Sequence, residues 1–280
     1  MVKKYAVLGS PIEHSKSPAI HTAAYRVLGL PSWEYGRFEV RKGGLRAFMD
    51  DLDPEYSGFS LTMPLKEEAA KFASSLDKAA EATGAVNTLV KFDEGWAGYN
   101  TDVFGIVQAI HQANLGTIDS VLIIGSGATA TSATAAVKQL APNAKVRIYA
   151  RNHRTRDQLV EFAKNLGQKA KATKRLYAHL TKSHLVISTL PGGAMDLQAQ
   201  ELSRASRFTP GGALFDVAYQ PWPSELAKVW LQSNQPIISG LEMLLWQAVA
   251  QLRIFTENDP AVQLPNEAAV LEAMRHSISG

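Results

Sequence analysis

Between Asp119 and Asn152 the chain reads DSVLIIGSGATATSATAAVKQLAPNAKVRIYARN. An apolar run, a glycine turn, an alanine-rich stretch and a second apolar run follow one another in about 30 residues, the length and order of a βαβ unit. The turn GSGATA closes a strand and opens a helix, where small residues let backbone N–H groups approach a pyrophosphate. The alternative is a tight turn with only a structural role. Because the turn stands between strand and helix, a dinucleotide is expected, with Gly125, Ser126, Gly127 and Ala128 as candidates to face its phosphates. The pattern is imperfect, since Ala128 or Ala130 fills the place usually given to a third glycine.

The end of the second strand bears on which dinucleotide. An NAD site normally has an acid there for the ribose 2′-hydroxyl. This strand ends VRIYA and runs into RNHRTR, with no acid before Asp157. Arg151, Arg154 and Arg156 fall instead where a 2′-phosphate would lie, and guanidinium pairs with phosphate through charge-assisted, often bidentate bonds. NADP is expected over NAD; the alternative is a solvated helix start with scattered arginines.

With 280 residues, about two domains are expected. The first hundred residues alternate apolar runs and helical patterns: YAVLG, a helix from Pro18, WEYGRFEV, a helix near Leu45, GFSLTM, and a helix from Leu65. That βαβαβα order predicts a largely parallel sheet covered by helices. A strand follows near Ala85 to Phe92, and the turn-rich DEGWAGYN leads into a helix, Val103 to Ala113, read as the connection between lobes. Beyond the βαβ unit, strands are expected at LVIST, ALFDVAY and PIISG. Two helices close the chain, Leu241 to about Thr256 and Asn266 to about His276, and could return to the first lobe.

Composition narrows the function. The chain has no cysteine, which excludes disulfides, thiolate catalysis and Cys-ligated metal, and its seven histidines form no ligand-spaced set, so no metal is expected. A net charge of +3, spread along the chain, argues against nucleic acid as a partner. Met1 to Ser10 reads as a strand and not as a signal peptide, and no apolar run approaches the roughly 18–20 residues of a membrane span. A cytoplasmic enzyme is expected.

HSKSPAIH, His14 to His21, sets Ser15 and Ser17 two positions apart, with Pro18 suited to a first helical turn. Ser17 reads as a helix N-cap. The two hydroxyls could equally grip a carboxylate, because residues i and i+2 of an extended segment face the same way and helix N-termini attract anions. In GFSLTMPLKEE, Thr62 and Lys66 flank a proline, and in NTDVFG either Asn100 or Thr101 could cap the helix that begins near Asp102. Reducing a carbonyl requires a proton donor for the developing alkoxide, and a lysine held by a carboxylate suits that role. Lys66 and Asp102 are candidates if the fold brings them together.

Over nearly its whole length the chain resembles the shikimate dehydrogenases. The resemblance rests on GSPIEHSKSP, SLTMPLK, GAVNT, NTD, GSGATA, DVAYQPWPSEL and GLEMLLWQA, in the family's order and approximate spacing. It implies an α/β protein of two lobes: a mostly parallel substrate-binding and catalytic lobe, residues 1–102 completed by 241–280, and a Rossmann-type NADP-binding lobe, residues 103–240. The active site would lie in the cleft between them. The implied reaction is the NADPH-dependent, reversible reduction of 3-dehydroshikimate to shikimate, a step of aromatic amino acid and chorismate biosynthesis.

By the same resemblance Ser15 and Ser17 bind the shikimate carboxylate, with Tyr219 closing on it from the second lobe. Lys66 transfers the proton and Asp102 is its partner at the reacting end of the ring. Asn87, Thr62 and Gln247 match positions that hydrogen-bond ring hydroxyls or the carboxylate. Ser60 stands where asparagine is common and belongs to the same set with a shorter reach. On the cofactor side the resemblance adds Asn152, Thr189, Gly240 and Met243 to the glycine turn, Arg151 and Arg154. The strand end ARN differs from the common NRT, which makes Arg151 a better phosphate ligand than Asn152. Ser224 replaces a threonine, a mild change near a helix start, while His14 and His21 read as structural. A monomer or homodimer is expected. Two alternatives stay open: a paralogue acting on quinate or a related hydroxy acid, and a non-enzymatic NADP-binding regulator.

Overall fold

The structure, a computed structural model, describes residues 2–92, 95–205 and 207–278. It divides into two compact units, Met1–Gly105 with Leu245–Gly280, and Ile106–Leu244.

The first unit runs β1 (Lys3–Gly9), α1 (Ser17–Val27), β2 (Trp33–Glu39), α2 (Leu45–Asp50), β3 (Tyr56–Leu61), α3 (Lys66–Phe72), β4 (Ser75–Leu76), α4 (Lys78–Thr83), β5 (Thr88–Phe92), β6 (Gly95–Tyr99) and the start of α5 (Thr101–Gln112). Its sheet has the order β2-β1-β3-β5-β6-β4. β1 lies parallel to β2 and β3, whereas β5 is antiparallel to both β3 and β6. The sheet is therefore mixed, because GWAGY, expected within a turn, forms a strand. A side chain on Gly98 would lie 2.8–2.9 Å from Val86, Ala73 and Leu76, so glycine here is a packing requirement of β6 and not a turn signal. Asp93 and Glu94 of the same stretch lie outside the described residues. One face of the sheet buries Leu8, Phe59, Leu61, Leu65 and Leu89, each contributing about 1.5–3 kcal/mol by leaving water.

The second unit contains the rest of α5, then β7 (Ser120–Ile124), α6 (Ala128–Leu140), β8 (Lys145–Tyr149), α7 (His153–Asn165), β9 (Lys169–Ala172), α8 (Leu176–Leu180), β10 (Leu185–Ser188), α9 (Asp196–Arg204), β11 (Ala213–Asp216), α10 (Glu225–Gln232) and β12 (Ile237–Ser239). Its strands pair in parallel in the order β12-β11-β10-β7-β8-β9. Such a sheet, with the first strand at the point where strand order reverses, is the doubly wound dinucleotide-binding topology. Val121 to Ile124 are all buried, as a central parallel strand covered on both faces requires. Trp230 of α10 is fully buried and donates its indole N–H to Gly212 O at 2.8 Å.

The last two helices are α11 (Gly240–Glu257) and α12 (Glu267–His276). From Leu245 onward they belong to the first unit, where Tyr5 stacks on Phe255 at 4.3 Å between ring centroids. α12 packs on α1, and Arg253 grips Glu267 through two bonds of 2.8 and 2.7 Å. No helix among the described residues is long and apolar enough to cross a membrane.

Candidate active site

Strand register in the first unit gathers the candidate residues along one sheet edge. Leu8 pairs with Leu61, Ser60 with Thr88, and Thr88 with Tyr99. β1 and β3 end there while β5 begins there, and β6, antiparallel to β5, returns to it. The segments that leave that edge carry Ser15 and Ser17, Thr62 and Lys66, Asn87, and Asn100 to Asp102. Backbone bonds tie them: Thr62 N–H to Leu8 O (2.9 Å), Leu61 N–H to Asn87 O (2.7 Å) and Asn87 N–H to Tyr99 O (3.0 Å).

At the centre Lys66 Nζ donates to Asp102 Oδ2 at 2.5 Å, with side-chain exposures of only 14% and 5%. Lys66 is the first residue of α3, whereas Asp102 lies in the first turn of α5, where a carboxylate also meets the positive end of the helix dipole. Asn100 caps that helix, its Oδ1 accepting from Asp102 N–H at 3.1 Å. Asn87 Nδ2 donates to Asp102 Oδ1 at 2.8 Å, lies 2.9 Å from Thr101 Oγ1, and reaches Gln247 Oε1 of α11 at 3.4 Å. Asn87 Oδ1 accepts from Thr101 N–H and from Thr88 Oγ1, both at 2.9 Å. The lysine and aspartate proposed from separate segments are thus in contact, and both carboxylate oxygens have donors.

The other residues of this unit differ in how open they are. Ser15 is half-buried and Ser17 is buried. Ser17 is not the N-cap: its backbone is already helical, and Ser15 Oγ accepts its N–H at 3.3 Å. Thr62 is half-buried, and its methyl group sits where a side chain on Gly9 would fall. Ser60 is buried, donating to Gln251 Oε1 at 2.9 Å and lying 2.5 Å from Tyr35 OH. His21 is fully buried, stacked on Tyr35 at 4.0 Å, and bonded to Gln251 Oε1 at 3.2 Å; burial lowers its pKa to about 3. Gln251, Thr88 and Tyr35 leave no local pattern, since the bonds that tie Gln251 and Tyr35 to the network span 25 to 230 positions.

In the second unit the C-terminal ends of β7, β8, β10 and β11 align, with Ile124 opposite both Tyr149 and Ser188, and Ser188 opposite Asp216. The loops beyond them carry the cofactor candidates. Gly125 has φ +118°, and a side chain there would lie 2.2 Å from Thr189 Oγ1, which itself donates to Ile124 O at 2.9 Å. Gly127 is the opposite case: a side chain there would meet nothing within 4 Å, and no side chain caps α6. The first-turn N–H groups beyond Gly127 and half-buried Ala128 are therefore open to an anion, and the residues fit a bound dinucleotide.

Ser126 Oγ lies 2.7 Å from Thr155 Oγ1, linking the turn to the start of α7. Asn152 caps α7, accepting from Thr155 N–H at 3.3 Å. Arg151 and Arg154 are exposed. Arg156 departs from expectation: it is buried and bonded to Asp157 at 2.9 Å, because it shares a helical stripe with Leu159, Val160 and Ala163. It is not available to a phosphate. Tyr219 is half-buried, which raises its pKa. A side chain on Gly240 would lie 1.9 Å from Val217 O, and Met243 is buried one turn further along α11. Ser224 serves as the N-cap of α10 and donates to Asp216 at 2.6 Å.

A strand order of this kind belongs to the dinucleotide-binding folds. In one chain with a second α/β unit that holds a half-buried lysine paired with a buried carboxylate, it has the build of a pyridine-nucleotide oxidoreductase. Comparisons narrow that class. Residues 7–89 match the model of the shikimate dehydrogenase substrate binding domain, and residues 240–275 that of the shikimate 5′-dehydrogenase C-terminal domain. A shikimate dehydrogenase (NADP(+)) of Nitrosopumilus maritimus is 32% identical over 259 residues, covering 91% of this chain and 93% of the relative. Among solved structures, Mycobacterium tuberculosis shikimate dehydrogenase superimposes with a TM-score of 0.84 at 34% identity, covering 99% of this chain and 100% of that one. The Thermus thermophilus enzyme, solved with NADP(H) and shikimate, gives 0.81 at 25% identity, with 99% and 100% covered. The chain belongs to the shikimate dehydrogenase family.

Proposed function

We infer that this protein reversibly reduces 3-dehydroshikimate to shikimate with NADPH. The observation that carries the reading is the Lys66–Asp102 pair, a half-buried ammonium held at 2.5 Å by a buried carboxylate in a chain of this family. Bound NADPH supplies the hydride to the carbonyl carbon. Lys66 gives a proton to the carbonyl oxygen as its negative charge develops, and takes one back in the oxidation. Asp102 keeps the lysine in place, while Asn87 holds the other carboxylate oxygen. The hydroxyls of Ser15 and Ser17 are the carboxylate grip, and Thr62 and Gln247 bond ring hydroxyls, so that binding far from the reacting carbon fixes the ring's orientation.

On the cofactor side, the uncapped start of α6 receives the pyrophosphate. Arg151 and Arg154 are the candidates for a 2′-phosphate: among the described residues neither has a carboxylate partner, so both guanidinium groups are open to an anion.

The test follows absorbance at 340 nm with shikimate or quinate, each with NADP or NAD. Fast turnover with shikimate and NADP is expected. Turnover chiefly with quinate or NAD would overturn the specificity, and none with any pair would overturn the enzyme reading.

A further inference from the structure

Behind the Lys66–Asp102 pair runs a chain of buried hydrogen bonds. Gln251 of α11 stands at its middle. Its Nε2 lies 3.3 Å from Asn87 O and 3.0 Å from Thr88 Oγ1, while its Oε1 faces Ser60 Oγ at 2.9 Å and His21 Nε2 at 3.2 Å. A backbone carbonyl only accepts, so the Gln251 atom facing Asn87 O must be the amide nitrogen. With that end a donor, the hydroxyl of Thr88 receives a hydrogen from Gln251 and has its own left to give to Asn87 Oδ1 at 2.9 Å. Asn87 Oδ1 is held as an acceptor by this hydroxyl and by the Thr101 N–H at 2.9 Å, which leaves Nδ2 to donate to Asp102 Oδ1 at 2.8 Å.

The far end of the chain agrees with this polarity. His21 is neutral, and its Nδ1 has no partner among the described residues, so a proton on Nε2 gives the bond to Gln251 Oε1 its donor. The hydroxyl of Tyr35 can donate to Ser60, whose own hydrogen goes to Gln251. Every donor from Tyr35 and His21 onward then points toward Asp102. Gln251 is only 1% exposed, and Asn87 and Thr88 are buried as well, so water does not compete for these groups.

We propose that Gln251 is a positioning residue for the reaction, acting through Thr88 and alongside the Thr101 N–H to keep the Asn87 amide turned with its N–H groups toward Asp102. The proposal rests on the reading of Lys66 and Asp102 as the proton-transfer pair. Losing the link frees the Thr88 hydroxyl to rotate and loosens the carboxylate that holds Lys66, which slows the chemical step and leaves binding in place.

Four variants test it: Thr88→Val, which keeps shape and removes the hydroxyl; Thr88→Ser, which keeps the hydroxyl; Gln251→Met; and the Thr88→Val/Gln251→Met double. In Thr88→Val and Gln251→Met, kcat should fall about fivefold, the range of one net hydrogen bond, with KM for shikimate and Kd for NADPH within about twofold. Thr88→Ser should restore kcat to within about twofold. The double variant should be no slower than the slower single, since both break one link. The Thr88 pair alters few atoms and carries the test alone if Gln251→Met does not fold. Parental kcat in Thr88→Val, Thr88→Ser as slow as Thr88→Val, or multiplied losses in the double would each overturn the proposal. Lys66→Ala runs alongside: parental turnover there would instead overturn the reading beneath it.

Discussion

The two units arrange their polar groups in opposite ways. In the first, Lys66, Asp102, Asn87, Thr88 and Gln251 face inward and bond one another, so the geometry around the proposed proton-transfer pair is fixed before a substrate arrives. In the second, Gly127, Arg151 and Arg154 face outward, and the start of α6 has no side-chain cap. Chemistry that needs a lysine at one angle is built into a buried network. The groups proposed to recognise a large, highly charged cofactor are instead open amides and exposed guanidinium groups. Damage in the first unit should therefore appear in kcat and folding, and damage in the second chiefly in cofactor affinity.

The largest effect expected is at Asp102. Asp102→Asn keeps the shape but leaves the Lys66 ammonium buried without its counter-charge, and kcat should fall by about 10²-fold or more. A smaller loss in kcat than in cofactor affinity would break the contrast between the units. Next comes the arginine pair: Arg151→Ala combined with Arg154→Ala should raise KM for NADP by about 10–100-fold, worth two charge-assisted contacts, and leave KM for NAD nearly unchanged. Equal losses for the two cofactors would place the 2′-phosphate elsewhere.

The glycine turn sharpens the comparison within a single motif. Gly125→Ala meets both a positive φ and Thr189, and should destabilise the protein by about 1–3 kcal/mol in denaturant unfolding. Gly127→Ala should leave stability within about 0.5 kcal/mol, because its side chain enters open space, and weaken NADPH binding instead.

A pH effect concerns His21. Its folded-state pKa is lowered by burial to about 3, so between pH 6.5 and 3 the unfolded chain binds a proton that the folded chain refuses. Stability then falls as pH drops through that window, by up to about 1.4 kcal/mol per pH unit from this group. His21→Leu should flatten the slope of stability against pH between about 6 and 4; an unchanged slope would show that other groups set it.

Much of this was legible in the sequence where the signal is local. The βαβ unit at Asp119–Asn152 could be read because the strand, turn and helix each carry their own pattern, and the missing acid after β8 pointed to the arginines. Misreadings arose where one residue type serves two purposes. Glycine in GWAGY looked like a turn, but Gly98 makes room for its neighbours in a strand. Arg156 looked like one more phosphate ligand, although its spacing from Leu159, Val160 and Ala163 already placed it on the buried face of α7. Serine before proline suggested a cap, yet Ser17 is already the first helical residue, Lys16 stands at the N-cap, and Ser15 Oγ accepts the Ser17 N–H. Gln251 was out of reach altogether, because its bonds to Ser60 and Thr88 span 191 and 163 positions and leave no local pattern.

The division of labour between the units is tested most directly by Lys66→Ala, measured for shikimate turnover with NADP and for NADPH Kd by fluorescence titration. The account predicts that kcat drops by about 10²–10⁴-fold while Kd stays within about twofold of the parent. Retained turnover, or a Kd that weakens in step with kcat, would contradict it.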